Sequence, residues 1–188
     1  IKLPNLNAAA AASPAADAPE AGRFLPMGGK RSVAWLALRH LHDVAPTKPD
    51  EIALAPGAPF GAVEVAASAC TLCLSCVSAC PAGALLDDPD RPRLSFQEEA
   101  CVQCGLCKAI CPEDAISLAP RLNFTESARQ AVEKKTEEPF GCVRCGKPFG
   151  ARGSVAAIAE KLAGKHSMFQ SGDAADRAAI AAEAGLSP

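Results

Sequence analysis

Eight of the ten cysteines in the chain fall in two segments that share one spacing. The first segment is CTLCLSCVSAC, followed by Pro81, and the second is CVQCGLCKAIC, followed by Pro112. Thiolate sulfur is a preferred ligand of soft and borderline metals. Because an identical spacing is unlikely to arise twice by accident, the two segments predict metal chemistry at both places.

Each segment reads Cys-x2-Cys-x2-Cys-x3-Cys-Pro, the spacing that holds cubane 4Fe-4S clusters. Two residues between ligands let a tight loop wrap one face of a cluster and present three sulfurs to it. The fourth cysteine follows its neighbour at i, i+4, so on a short helical turn it reaches further along the helix face. We therefore expect it to bind the other cluster. The expected ligand sets are Cys70, Cys73, Cys76 and Cys111 for one cluster, and Cys101, Cys104, Cys107 and Cys80 for the other.

Two other uses of many cysteines compete with this interpretation. A secreted chain would use them as a disulfide framework, and an intracellular chain could use them for zinc. Zinc sites usually consist of separated Cys-x2-Cys pairs, whereas three cysteines at steps of three with a fourth at step four are typical of iron-sulfur proteins. The repeated spacing favours the clusters.

At these residues the chain resembles the dicluster bacterial-type ferredoxins, over residues 61–121. The resemblance implies a small electron carrier, or a relay domain of a larger oxidoreductase, built as a pseudo-twofold pair of strand-helix-strand units. The expected fold class is therefore α+β, with helical N- and C-terminal extensions. The strings DEIALAPGAPFGAVEV, CTLCLSC, CVQCGLC, PRLNF and PFGCVRCGKPFG also resemble ferredoxin-domain proteins associated with bacterial formate dehydrogenase systems.

Composition divides the chain into four expected parts. They are a disordered Ala/Pro-rich linker at 1–23, a short helix and an extended wrap at 24–60, the dicluster domain at 61–121, and a helical tail with a Cys-x2-Cys knuckle at 122–188. A domain as short as 61–121 commonly needs disulfides or metals for stability, so we expect its metal-free form to unfold. Since the first residue is Ile rather than Met, we also expect the chain to be a fragment or a processed form.

Propensity and capping signals place the secondary structure. The expected strands lie at 61–66, 84–86, 93–96 and 115–118. The expected helices are one from Ser32, as N-cap, to Val44, and three in the tail that begin near Thr125, Ser154 and Asp173 and run to about 135, 163 and 184.

The remaining cysteines, Cys142 and Cys145, form a knuckle of the kind that supplies half of a tetrahedral zinc site. No cysteine follows Cys145, and His166 is the one histidine downstream. Four outcomes stay open. The pair binds zinc or iron completed by His166 or by another chain, it is an empty knuckle, it is a thiol-disulfide redox pair, or it belongs to a third cluster.

Charge and missing motifs indicate the class of function. Residues 60–120 contain eight acids and three bases, whereas the whole chain has a net charge of −2. An acidic face favours docking to a basic patch of a redox partner, an oxidoreductase, and disfavours nucleic acid. No nucleotide-binding loop and no nucleophile with a base is evident, so we expect electron transfer without a catalytic site.

Location and the second hypothesis follow from the same features. The longest strongly apolar run, VAWLAL, is too short to span a membrane, and oxidation-sensitive thiolates favour the cytoplasm. The alternative function is an iron-sulfur subunit or assembly module of a multi-subunit oxidoreductase, such as formate dehydrogenase, with structural clusters.

Overall fold

The computed structural model describes residues 22–23, 25, 27–142, 144–162 and 165. The chain divides into two compact units, one ending at Pro49 and the other beginning at Asp50. The predicted linker at 1–23 lies almost wholly outside the described residues. The predicted end of the helix from Ser154, at 163, and the whole predicted helix near Asp173 also lie outside the described residues.

The first unit contains one helix, α1 (Lys30–Val44), within its described residues. The predicted helix is confirmed, but its N-cap is Gly29 rather than Ser32, so it begins three residues earlier than expected. The helix ends at Val44, and the next residue, Ala45, is extended because it precedes Pro46. Trp35 is buried, and the guanidinium groups of Arg31 and Arg39 lie 6.0 and 5.4 Å from its ring centre.

The second unit carries eight strands and three α-helices within its described residues. The strands are β1 (Glu51–Ala53), β2 (Gly61–Val65), β3 (Leu85–Asp87), β4 (Arg93–Phe96), β5 (Ile116–Asn123), β6 (Val132–Thr136), β7 (Pro139–Gly141) and β8 (Pro148–Ala151). The helices are α2 (Ser75–Ser78), α3 (Leu106–Ile110) and α4 (Arg152–Leu162). Two 3-10 turns, Glu98–Ala100 and Glu126–Arg129, complete the order.

The strands form three small antiparallel sheets. Their orders are β1-β5-β2, β3-β4-β6 and β7-β8. Helices and antiparallel strands are thus both present, which confirms the α+β class. The four strands predicted around the cysteine motifs all form, although β5 continues to Asn123, beyond the expected end near Leu118.

The pairing of the central strands repeats with the cysteine motifs. Val65 of β2 lies opposite Ile116 of β5, and Phe96 of β4 lies opposite Leu85 of β3. Each member of one pair is 31 residues from a member of the other, the same separation as between Cys70 and Cys101. The strand before each motif therefore pairs with the strand that follows the other motif.

The core lies between the cysteine segments and these strands. Val63 and Leu94 are its largest fully buried side chains, and Leu85, Phe96 and Ile116 surround them. Strand β2 approaches β5 closely at Gly61. A Cβ at this position would overlap the carbonyl oxygen of Ala119 and lie 2.8 Å from the side-chain Cδ of Gln103, so the approach requires glycine.

The prediction of a helical tail at 122–188 is wrong for residues 126–151, whereas the helix expected from Ser154 forms as α4. The helix expected from Thr125 to about 135 is replaced by the 3-10 turn Glu126–Arg129 and by β6, which pairs with β4. Residues 139–151 form the β7-β8 hairpin, and α4 begins at Arg152 rather than near Ser154. Part of the expected wrap at 24–60 is also a strand, because β1 pairs with β5.

Candidate metal centres

Four cysteines surround one cavity, named here the first cavity. They are Cys70, Cys73 and Cys76 of the first motif and Cys111 of the second. The space between the lining atoms is about 360 Å³, including its opening to solvent. The structure thus brings together the four residues that the sequence analysis assigned to one cluster.

The second cavity repeats this arrangement. It is lined by Cys101, Cys104 and Cys107 of the second motif and by Cys80 of the first, around about 340 Å³ of space that also opens to solvent. These are the other four predicted ligands. Each fourth cysteine lines the cavity of the other motif because it follows a short helix. Cys80 follows α2 and Cys111 follows α3, and these helices lead the chain away from the loop of its own motif.

The loops between the first cysteines of each motif adopt left-handed backbone conformations. Leu72 and Leu74 have φ angles of 55° and 58°, and Gln103 and Gly105, 31 residues later, have φ angles of 53° and 80°. Non-glycine residues rarely adopt this region, and such outliers concentrate at functional sites. Left-handed residues among right-handed ones turn successive N–H groups toward the same side of the chain.

Backbone N–H groups donate to the cysteine sulfurs at matching positions in both motifs. Leu72 N lies 3.5 Å from Cys70 Sγ, and Gln103 N lies 3.4 Å from Cys101 Sγ. The fourth cysteines have the same type of donor, Ala84 N at 3.3 Å from Cys80 Sγ and Ala115 N at 3.4 Å from Cys111 Sγ. Such donors stabilise the negative charge of thiolate ligands.

The third cysteine of each motif is buried, and its neighbours disfavour its ionised form. Burial first, and then the nearby thiols of Cys70, Cys73 and Cys107, raise the pKa of Cys76 to about 11. Burial likewise raises the pKa of Cys107, with Cys101, Cys104 and Cys80 adding to it. Thiolates at these positions therefore need a positive metal centre, and metal binding must release their protons.

Apolar side chains from the strands complete the cavity walls. Leu94 and Ile116 line the first cavity, and Val63, Phe96 and Leu118 line the second. These strand residues were not singled out by the sequence analysis, although their alternation within predicted strands is the signal that marks them. They keep water from the sulfurs.

One cysteine of each set is exposed, Cys73 in the first cavity and Cys104 in the second. Cys73 also lines an open groove together with the loop at 88–92 and the β7-β8 hairpin. The buried Cys76 and Cys107 lie on α2 and α3, which contact each other. Each cavity thus has an outer edge at its exposed cysteine, and the buried cysteines of the two cavities lie on helices that pack together.

The donor set of each cavity fits a 4Fe-4S cluster. Each cavity offers four sulfurs, backbone N–H donors to two of those sulfurs, and apolar walls, which are surroundings typical of such clusters. Among the described residues, no three His, Cys, Asp or Glu side chains converge closely enough to hold a single metal ion.

Two side chains from the C-terminal part of the chain, Lys135 and Ser154, donate hydrogen bonds to the backbone around the first motif. Lys135 of β6 donates from Nζ to the carbonyl oxygens of Ala67, at 2.9 Å, and of Cys70. Ser154 of α4 donates from Oγ to the carbonyl oxygen of Thr71 at 2.6 Å. The sequence analysis missed both residues.

Cys142 and Cys145 lie at the turn of the β7-β8 hairpin. Cys142 N donates to Lys147 O at 2.9 Å, and Gly146 N donates to Cys142 O at 2.7 Å, which closes the turn. Hydrogen bonds from the backbone N–H of Arg144 and then of Cys145 lower the pKa of the Cys142 thiol. His166, the suggested third ligand, lies outside the described residues.

Comparison with known proteins assigns the cysteine-rich segment. Residues 69–116 match the family model described as the 4Fe-4S dicluster domain. This segment is a 4Fe-4S domain of the ferredoxin type. The match supports 4Fe-4S cluster binding and iron-sulfur electron transfer by this segment.

Two similar curated proteins are archaeal-type glutamate synthases (NADPH), from Thermotoga sp. (strain RQ2) and from Thermotoga maritima. Each is 41% identical to this chain over 49 residues, which is 26% of this chain and 10% of the relative. The similarity therefore covers about a tenth of the length of these enzymes. No helix among the described residues is long and apolar enough to cross a membrane.

Proposed function

We propose that the chain holds two 4Fe-4S clusters and relays single electrons between two redox partners. The observation that carries this proposal is the lining of the two cavities, each by three cysteines of one motif and the fourth of the other. In this assignment Cys70, Cys73, Cys76 and Cys111 bind one cluster, and Cys101, Cys104, Cys107 and Cys80 bind the other.

The proposed fold of the second unit is the pseudo-twofold ferredoxin fold. Its support is the strand register, in which the β2-β5 and β3-β4 pairs are related by the same 31-residue shift as the cysteines. A pseudo-twofold relation would explain why each motif sends its fourth cysteine to the other cavity.

The residues of the chain have separate parts in this relay. Each cluster, when bound, accepts and releases one electron. Backbone N–H groups such as those of Leu72 and Gln103 offset the added negative charge, and the strand side chains exclude water. Electrons would enter and leave at the exposed Cys73 and Cys104 and would cross between the clusters beside Cys76 and Cys107.

We propose that the chain has no catalytic site of its own and that bond chemistry belongs to its partner. A partner oxidoreductase with a basic docking surface is favoured by the eight acids and three bases at residues 60–120, and the expected compartment is the cytoplasm. Nucleic acid is disfavoured for the same reason.

A second candidate is an iron-sulfur subunit or assembly module of a multi-subunit oxidoreductase, with structural clusters. It is favoured by the match to a segment within glutamate synthases, where the similar region is a small part of a larger enzyme. Formate dehydrogenase is the specific partner that the sequence resemblance suggests. Copurification with a catalytic subunit would support this candidate.

The hairpin cysteines form a candidate zinc half-site, with His166 or a second chain as the source of further ligands. The support is the turn geometry, in which the backbone N–H groups of Arg144 and Cys145 donate to the Cys142 sulfur. Mass spectrometry of the intact protein would detect zinc that the Cys142→Ser variant lacks. Equal zinc in both proteins would contradict this site.

The relay is tested on the full chain purified without oxygen. We expect about eight irons and eight sulfides per chain and, after reduction with dithionite, delivery of about two electrons to a one-electron acceptor. Clusters that dithionite cannot reduce would contradict the relay and would favour structural clusters. Iron near four per chain would contradict the assignment of two clusters.

A further inference from the structure

Lys135 places a largely buried charge against the loop of the first motif. Its side chain is 14% exposed, and its ammonium group donates to the carbonyl oxygens of Ala67 and Cys70. It lies opposite Leu94, which lines the first cavity. A β-bulge at the neighbouring position in β6 shifts the register there, and such bulges commonly redirect a side chain.

The counterion of Lys135 is Glu137, whose carboxylate lies 2.7 Å from Lys135 Nζ. Glu137 also accepts a hydrogen bond from Gly153 N, at the start of α4, at 2.7 Å. Its contacts are thus with Lys135 and α4. The ammonium group of Lys135 contacts the ligand-bearing loop, whereas the hydrogen bonds of the Glu137 carboxylate go to Lys135 and to α4.

The second motif has the opposite arrangement. The 31-residue shift relates Ala67 to Glu98, whose carboxylate is bound by Arg121 Nε at 2.7 Å and by Arg121 Nη2 at 2.8 Å. Here the carboxylate of Glu98 lies three residues before Cys101, and Arg121 of β5 is its counterion. The charge that contacts the start of the first loop is therefore positive, and the charge at the start of the second loop is negative.

Other charged and polar side chains near the two cavities contribute less to a difference in potential between the two sites. Glu113 lines the first cavity and opposes Lys135, but it is paired at 2.5 Å with Lys161, which is 57% exposed, so solvent screens this pair. Each site also has one neutral polar side chain near a cysteine sulfur. Ser75 Oγ accepts a hydrogen bond from Cys73 Sγ at 3.5 Å, and Gln103 Nε2 donates one to Cys101 Sγ at 3.5 Å.

We propose that Lys135 raises the reduction potential of the cluster at the first cavity and makes it the more easily reduced of the two. Reduction adds one negative charge, which a nearby buried cation stabilises. Lys135 is a positioning residue, since it acts through the loop that carries Cys70. In the relay one electron passes from the cluster at the second cavity, which is oxidised, to the cluster at the first cavity, which is reduced.

This inference rests on the proposed function, because it requires a cluster on Cys70, Cys73, Cys76 and Cys111. Its test is an EPR-monitored redox titration of the full chain, with iron counted in every sample. The test variants are Lys135→Met, Lys135→Arg and Glu137→Gln. The control for the first-cavity midpoint is Lys134→Met on the same strand. It should leave that midpoint unchanged, because Lys134 lies over the ring of Phe96, 5.5 Å from its centre, and Phe96 lines the second cavity.

Two further variants assign the signals, because serine in place of an exposed ligand alters one cluster's spectrum. Cys73→Ser identifies the cluster of the first cavity and Cys104→Ser that of the second. With Lys135→Met we expect the equilibrium constant for electron transfer from the second-cavity cluster to the first-cavity cluster to fall at least tenfold. A tenfold fall lowers the first-cavity midpoint by about 59 mV. Lys135→Arg should retain the wild-type midpoint.

Glu137→Gln keeps Lys135 and removes its counterion, so the first-cavity midpoint should rise.

The inference is overturned if Lys135→Met shifts both midpoints equally, shifts only the midpoint of the cluster that Cys104→Ser identifies, or changes neither midpoint. It is also overturned if Glu137→Gln lowers the first-cavity midpoint. If the wild-type chain holds two reducible clusters, these results reject the role of Lys135 alone, whereas a wild-type chain without them rejects the proposed function itself.

Discussion

The fourth cysteine of each motif decides whether the two halves of the cysteine segment depend on each other. Cys80 lines the cavity of the second motif, and Cys111 lines that of the first. If the cavities are the cluster sites, loss of Cys80 should damage the cluster that Cys101, Cys104 and Cys107 hold, although those residues lie in another segment of the chain.

We predict a specific pattern of iron loss in paired variants. Cys80→Ala and Cys104→Ala should each reduce iron by about half, and the double variant should lose no more, because both residues serve one cluster. The pair Cys80→Ala with Cys73→Ala should lose nearly all iron. Iron analysis after anaerobic purification measures this, and the reverse pattern would show that each motif binds its own cluster.

Residue spacing made the grouping of these eight cysteines around two cavities predictable, because a cluster would constrain the chain locally at each motif. Lys135 was not predictable in the same way. Its contact with the carbonyl of Cys70 spans 65 residues, and no local pattern distinguishes it from its neighbour Lys134. The strand pairing that brings β6 to β4 creates this contact.

At the scale of elements, a buried ion pair joins the 3-10 turn Glu98–Ala100 to β5. Arg121 contacts both oxygens of Glu98, and Asn123 Nδ2 donates to Glu98 Oε2 at 3.1 Å. Burial alone would raise the pKa of Glu98, but the hydrogen bonds from Arg121 and Asn123 and the charge of Arg121 outweigh it. The pKa therefore lies below the usual 4.5.

We predict that Glu98→Gln destabilises the cluster-loaded protein by about 1–3 kcal/mol at pH 7. A depressed pKa means that the stabilisation by Glu98 is present above its unfolded-state value and is lost as pH falls through the folded-state value. The difference between wild type and variant, measured by thermal denaturation, should therefore shrink below about pH 4.5.

The neighbouring Glu99→Gln is the matched control. Glu99 lies 3.6 Å from Arg129, which is about half exposed, so this variant should cost less than about 1 kcal/mol. Equal destabilisation by the two variants at pH 7, or a difference that persists unchanged in acid, would contradict the role given to the Glu98 pair.

The strands around the motifs were predictable because their apolar residues alternate, but β6 was not. Its sequence VEKKT is mostly charged, and pairing with β4 rather than propensity makes it a strand. Thr125 gave a false helix-start signal. Its hydroxyl donates to Asn123 Oδ1 at 2.7 Å, and its N–H donates to the same atom at 3.0 Å, so the side chain closes a local turn instead of capping a helix.

The hairpin that carries Cys142 and Cys145 has a signal that was overlooked. Pro-Phe-Gly occurs on both sides of the knuckle, and these copies form β7 and the start of β8. Phe140 and Phe149 pack edge to face with ring centres 5.6 Å apart. Two matching aromatic segments around a turn are typical of a hairpin.

At the scale of the whole molecule, the second unit is built around the two cysteine cavities. Buried cysteines belong to the same core cluster as Val63, Leu94 and Phe96. Without metal, the raised pKa values of Cys76 and Cys107 keep these thiols neutral, and the left-handed loop residues retain their strain without the cluster contacts that compensate for it.

We predict that removal of iron unfolds the cysteine-containing part of the second unit. Metal-free full-length protein, prepared with a chelator under reducing conditions, should lose native amide dispersion for residues 61–121 and should show no cooperative thermal transition there. Anaerobic reconstitution with iron and sulfide should restore both. A metal-free protein with native-like dispersion would contradict this expectation.

A redox titration of the wild-type protein, followed by EPR, shows whether the chain carries two clusters that exchange electrons. We expect two reducible signals that broaden one another through magnetic coupling, because α2, which carries Cys76, packs against α3, which carries Cys107. A single uncoupled signal, or iron that stays EPR-silent through full reduction, would contradict the two-cluster relay.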